Sequence, residues 1–180
     1  MNIFMLIKHN NKFGFTLIEL VIVIVLIGIL SAAALPKFAT LIIRARQAAA
    51  SGVAGGLSAA ASIAHAQWLA DGSPESINLE GQLIYMSPLI NGMGGWPEDT
   101  QAIGNGVATP DKCLAIWNGI LNTPPKADIN TCTAPCQYMV SADSPLCKFQ
   151  DRQGKGDNII TYNITNGAVD SIENTTTTKS

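Results

Sequence analysis

The chain has 180 residues, 47% of them apolar and 13% charged, with a formal net charge of −2. Once an apolar N-terminal stretch is set aside, about 140 residues remain, room for one compact domain with one core and not for a second. Lys8, Lys12, Lys37, Arg44 and Arg46 all lie in the first quarter, leaving six basic against twelve acidic residues after Arg46; such an acidic domain repels phosphate backbones and disfavours nucleic-acid binding.

From Phe13 to Pro36 the only ionisable side chain is Glu19, and 20–35 (LVIVIVLIGILSAAAL) is broken only by Gly28 and Ser31. With 15–18 this stretch is just long enough for a bilayer core, which takes about 20 residues. A cleaved secretory signal is the alternative, since Lys8 and Lys12 make a basic start and Ala32-Ala33-Ala34 offers a small-residue cleavage site that would leave Leu35 as the N-terminus. Glu19 argues against it, because a carboxylate in the apolar region is costly unless it has a task.

The run Lys12-Phe13-Gly14-Phe15-Thr16-Leu17-Ile18-Glu19-Leu20 resembles the cleavage and assembly motif of type IV pilins and type II secretion pseudopilins. The resemblance implies that a prepilin peptidase cuts after Gly14 and methylates the new N-terminal Phe15, and that the apolar helix is retained. It implies further a new Phe15 amine, four residues before Glu19, that pairs with the Glu19 carboxylate of a neighbouring subunit during assembly. Glu19 also suits a helix N-terminus by itself, through the backbone dipole. The expected organisation is a leader at 1–14, a transmembrane and polymerisation helix at 15–36, the second half of that helix at 37–70, an extracytoplasmic domain at 71–173 and a loose tail at 174–180. Implied partners are other pilins including copies of this chain, the prepilin peptidase, an inner-membrane assembly platform, and the membrane before extraction. The implied location is the bacterial inner membrane, single-pass, and then an extracellular pilus. Flanking charges do not decide the orientation; the motif and the cysteines do.

Beyond Pro36 the chain is rich in helix formers and free of proline until Pro74, so one helix from Phe15 to Ala70 is expected, with a kink or local melting at Pro36 and weakening at Gly52, Gly55 and Gly56. Ala48, Gly52, Gly56 and Ala60 form a small-residue stripe, read first as the face that seats the helix on its own domain and second as a subunit seam. His65 has no ligand partner at helical spacing and is read as a bystander. Asp71-Gly72-Ser73-Pro74 supplies the stop.

Residues 71–110 are punctuated by Gly and Pro and predict loops with only short elements. Asp111 after Pro110 predicts the cap of a helix to Leu121 with Leu114, Trp117 and Leu121 on one face, ended by Pro124-Pro125. Strands are predicted at 137–142, 146–150, 158–165 and 168–172, with Ile160, Tyr162 and Ile164 on one face and Asn166-Gly167 as a two-residue hairpin turn. The fold class is α+β: a long helix on a small antiparallel sheet, as the resemblance to a type IV pilin also implies. Cys113, Cys132, Cys136 and Cys147 lie downstream of a segment that carries them out of the cytoplasm, and disulfides in any of three connectivities are the natural reading. A zinc site fits poorly, since Cys132 and Cys136 make one C-x3-C and the two histidines, His9 and His65, are remote.

The GGWP, CLAIWNGILNTPP and YNITNG segments are similar to mannose-sensitive haemagglutinin-type pilins. That resemblance implies Cys113–Cys147 and Cys132–Cys136 pairs and a fibre used in adhesion or surface attachment. Asp151, Asp157 and Asn158 could offer oxygens to calcium, as the loop of major pseudopilins does, but Lys155 intrudes and no glutamate completes the shell, so a plain loop is expected. The glycosylation sequons at Asn163 and Asn174 carry little weight in a bacterial setting. No nucleophile and base pair suggests an enzyme, and no metal or cofactor is expected. The expected function is a structural pilus subunit, with a type II secretion pseudopilin as the alternative.

Overall fold

A computed structural model describes residues 14–130, 132, 135–152 and 158–173. The chain divides into two compact units, Met1–Ile42 and Ile43–Ser180. Within the first unit the described chain is the start of α1 (Leu17–Ala70), which stays helical through Pro36. Its large apolar side chains point outward all round: Phe15 is 92% exposed, and even Val21, the least exposed of those up to Ile43, reaches 40%. A helix apolar on every face is not at rest in water; it is built for a bilayer or for other helices.

In the second unit the amphipathic part of α1 buries Ala50, Ala54, Leu57, Ala61, Ala64 and Trp68, alternating steps of four and three that keep them on one face. The small-residue stripe seats the helix only at its C-terminal end: Ala60 packs against the core and a Cβ at Gly56 would lie 3.9 Å from Leu121, whereas Ala48 and Gly52 are exposed and a Cβ at Gly52 would meet nothing, because the main seating face is centred on Leu57 and Trp68.

Residues 71–110 hold more order than turn composition suggested. Strands β1 (Ser76–Leu79), β2 (Gln82–Met86) and β3 (Pro97–Asp99) form an antiparallel sheet in that order. Glu80 and Gly81 close the first hairpin, both at positive φ, and Asn78 Oδ1 accepts from the Gly81 N–H at 2.8 Å. Such a two-residue turn matches strand twist, which is why a pair of strands this short can form.

Helix α2 (Pro110–Ile120) is capped by Thr109, not by Asp111: the Thr109 hydroxyl accepts from the Lys112 N–H, and Pro110 occupies the first turn, where it has no N–H to lose. Asp111 sits within that turn. The buried face is Cys113, Ile116, Trp117 and Ile120, while Leu114 and Leu121 are only half-buried, so the expected stripe was right at Trp117 and rotated elsewhere. Trp117 stacks on Phe149 at 4.3 Å between centroids, and its indole N–H donates to the Pro125 carbonyl at 2.8 Å.

The second sheet has the order β4 (Ala127–Asp128), β5 (Tyr138–Asp143), β6 (Leu146–Asp151), β7 (Asn158–Asn163) and β8 (Val169–Glu173). All pairs are antiparallel except β4 with β5, which is parallel. Two sheets thus stand where one was expected. Ile160, Tyr162 and Ile164 are fully buried together, although Ile164 lies beyond the end of β7. The β7–β8 connection is 164–168, longer than a two-residue turn: the Asn163 N–H donates to the Ala168 carbonyl at 2.9 Å and the Gly167 N–H to the Asn163 carbonyl at 2.8 Å, closing the loop, while the Ile164 N–H donates to the Pro145 carbonyl in register with the β6–β7 ladder. Gly167 within it has φ +69°, and a Cβ there would strike the ring of Trp96.

The architecture is that of an α+β, type IV pilin-like fold. Disulfides join Cys113 in α2 to Cys147 in β6 and Cys132 to Cys136 in a local loop. Residues 1–13 of the expected leader, Lys155, Asp157 and the expected tail with Asn174 lie outside the described residues.

Candidate functional site

The residues that carry the motif's chemistry gather at the start of α1. Thr16 is its N-cap, and Glu19 stands three positions on. The Glu19 backbone N–H donates to Thr16 Oγ1 at 3.3 Å, while the Thr16 backbone N–H and hydroxyl each donate to Glu19 Oε2 at 2.9 Å. This reciprocal arrangement is a capping box, which satisfies donors that every helix start leaves open. Thr16-x-x-Glu19 was visible as a signature and went unread beside the stronger processing motif. Both bonds fall on one carboxylate oxygen, and a carboxylate offers acceptor sites on two. The cap therefore orients Glu19 and leaves Oε1 with capacity for a cation.

Gly14 and Phe15 precede the helix, exposed and outside its hydrogen-bonded turns, with no atom within 4 Å of a Cβ placed on Gly14. The structure brings Phe15, Thr16 and Glu19 together at one helix end. Among the described residues α1 is the one helix long and apolar enough to cross a membrane.

Elsewhere the polar residues of interest are committed to packing. His65 lies parallel to the Trp96 ring at 4.0 Å and at 5.4 Å from Trp68, with Nδ1 against the Gly95 carbonyl. The bystander is thus a packing piece between two indoles. Gly95 has φ +72°, and a side chain there would run into Trp68. Glu98, fully buried, was not singled out by any motif. It accepts from the Asn105 N–H at 2.8 Å and the Gly106 N–H at 2.9 Å and pairs with the Lys112 ammonium. Beside it the Tyr162 hydroxyl donates to the Pro97 carbonyl at 2.8 Å; burial, and then the Glu98 charge, push its pKa well up. Burial, and then Asp151, push Tyr138 up to about 12.

Among the described residues no group of His, Cys, Asp and Glu is placed to hold a metal ion. Asp151 is buried at the end of β6, and residues 153–157 of the loop expected to be a plain connection lie outside the described residues. Asn163 accepts from the Thr165 N–H and hydroxyl at 2.9 and 2.7 Å, holding the bend that starts the β7–β8 connection.

Residues 9–35 match the family model described as the prokaryotic N-terminal methylation motif. The match spans the residues just before the helix, the capping box and the apolar helix start, and supports a type IV pilin-like prepilin. No curated protein and no solved structure matches the chain.

Proposed function

We propose that this chain is a structural, non-enzymatic subunit of a type IV pilus-like filament, cut between Gly14 and Phe15 by a prepilin peptidase and polymerised through the start of α1. The observation that carries this reading is the coincidence of the methylation motif with a helix whose apolar side chains are exposed on every face. The leader 1–14 is removed, 15–36 holds the subunit in the inner membrane, 37–70 continues the helix into the domain, 71–173 forms the extracytoplasmic domain, and 174–180 is its tail. The assembly platform then extracts the subunit into the fibre, whose use is adhesion or surface attachment.

Cleavage turns the Phe15 amide into an amine that stays basic when methylated. In a monomer that amine and Glu19 lie about one helical turn, 5.4 Å, apart near the membrane edge, where water solvates both. In a packed filament the water is lost, and Glu19, already oriented by Thr16, takes the Phe15 amine of a neighbour. A desolvated pair sets register more than it adds stability, because an unpaired partner is heavily penalised. Pro36 lacks the N–H that would pair with the Ala32 carbonyl, and is the point where the helix bends on packing.

A type II secretion pseudopilin is the second reading, favoured by the same N-terminal motif, which both groups share. The two disulfides of an exposed domain favour the pilus. Replacing Gly14 by a bulky residue tests the cleavage assignment: the account expects an unprocessed membrane protein and no filaments, and normal processing of that variant contradicts it.

A further inference from the structure

Glu98, Asn105 and Lys112 meet at one point between β3 and the first turn of α2, and their arrangement is not used by the N-terminal chemistry. Lys112 Nζ donates to Glu98 Oε1 and also to Asn105 Oδ1 at 2.7 Å, the oxygen one bond from Asn105 Cγ. The same amide oxygen accepts from the Val107 N–H at 3.1 Å. Glu98 is fully buried and the Lys112 side chain is 15% exposed, whereas Asn105 reaches solvent. The connection passes over Glu98 so closely that a side chain at Gly104 would collide with its carboxylate and with the Met86 carbonyl.

These are the parts of a transamidation: an amine, a carboxamide whose oxygen is held by a backbone donor, and a sheltered carboxylate touching the amine. We propose that Lys112 and Asn105 condense into an intrachain isopeptide bond, with Glu98 moving the protons. Lys112 gives one proton to Glu98, and its lone pair attacks Asn105 Cγ. The carbonyl electrons move to Oδ1, where the Val107 N–H stabilises the charge. As the new Nζ–Cγ bond is completed, the Cγ–Nδ2 bond breaks. Of the three ammonium protons, one stays on the new amide, one leaves with Nδ2 as ammonia, and the third returns from Glu98 to make ammonium. The reaction needs no oxidant or co-reactant. Ammonia departs through the solvent-facing side of Asn105, and proximity supplies what a free amine in water lacks.

The bond would give α2 two covalent anchors at adjacent residues. Cys113 already ties it to β6 of the second sheet, and Lys112 would tie it to the connection leaving β3 of the first. A domain on an extracellular fibre under tension gains from both.

The test uses the full processed chain, extracted in detergent, reduced and denatured. Its mass should be lower than the sequence requires by one ammonia. Digestion on the N-terminal side of aspartate, at Asp99, Asp111 and Asp128, should leave fragments 99–110 and 111–127 joined. Glu98→Gln should slow formation of the linked pair by about 100-fold or more, the usual weight of a general acid–base group. A full sequence mass with separate fragments overturns the proposal. So does an ammonia loss with separate fragments, which would instead mark ring closure at Asn105-Gly106. Undiminished linkage in Glu98→Gln would remove the carboxylate from the reaction.

Discussion

Replacing Cys113 and Cys147 together by alanine unties α2 from β6 and frees a loop with a sequence separation of 34. The chain-entropy relation puts the loss at about 4 kcal/mol for a loop of that length, against about 2 kcal/mol for the Cys132–Cys136 loop. Both Cys113 and Cys147 are fully buried, so truncation also removes sulfur from packed sites beside Trp117 and Phe149. Urea unfolding of the full chain in mild detergent, followed by tryptophan fluorescence, reads this directly, because Trp68, Trp96 and Trp117 all lie in the second unit. With a slope of about 2 kcal/mol/M, the Cys113/Cys147 variant should lose about 2 M in midpoint and the Cys132/Cys136 variant about 1 M. Equal shifts, or a larger one for the short loop, would refute the reasoning that the long loop carries the stabilisation.

Alkaline titration should show Tyr138 and Tyr162 ionising late. Their folded pKa values are raised, so their contribution to stability is complete below about pH 10 and is lost as pH rises through about 12 for Tyr138; tyrosinate absorbance should appear together with loss of the fold. Full ionisation of both near pH 10 in a folded domain would contradict their burial. Thr16→Ala and Glu19→Ala both break the capping box, and Thr16→Ala should cost about 1 kcal/mol of helix stability. Both variants should insert and be processed, but only Glu19→Ala should lose filaments in a shearing assay; equal yields would show that the carboxylate serves its own helix alone. Gly95→Ala combines a positive φ with a collision on Trp68 and should lower stability by about 1–3 kcal/mol in thermal melts, whereas an unchanged melt would contradict the packing around His65.

How far the sequence could be read depended on whether a signal was local. The apolar run after Glu19, the late strands and the buried trio Ile160, Tyr162 and Ile164 follow from periodicity, which is a local property. Asp111 was the expected cap and Thr109 is the actual one, since both residue types cap well and only the position of Pro110 in the first turn separates them. The β1–β2 hairpin was hidden by a Glu80-Gly81 turn less conspicuous than the glycine cluster at 92–95. The contacts of His65 and Glu98 could not be read from the sequence. Their partners, Trp96 at a separation of 31 and Lys112 at 14, are set by tertiary packing. At the helix start the motif around Gly14, Phe15 and Glu19 was legible from spacing, while the hydrogen bonds by which Thr16 orients the Glu19 carboxylate are a matter of geometry.

Assembly as proposed needs a charge made by cleavage, and the N-terminus of the mature chain tests that most directly. Mass spectrometry of the N-terminal peptide from sheared surface filaments should find Phe15 first and carrying one methyl group. A mature chain beginning at Leu35, or filaments that retain Gly14, would contradict it.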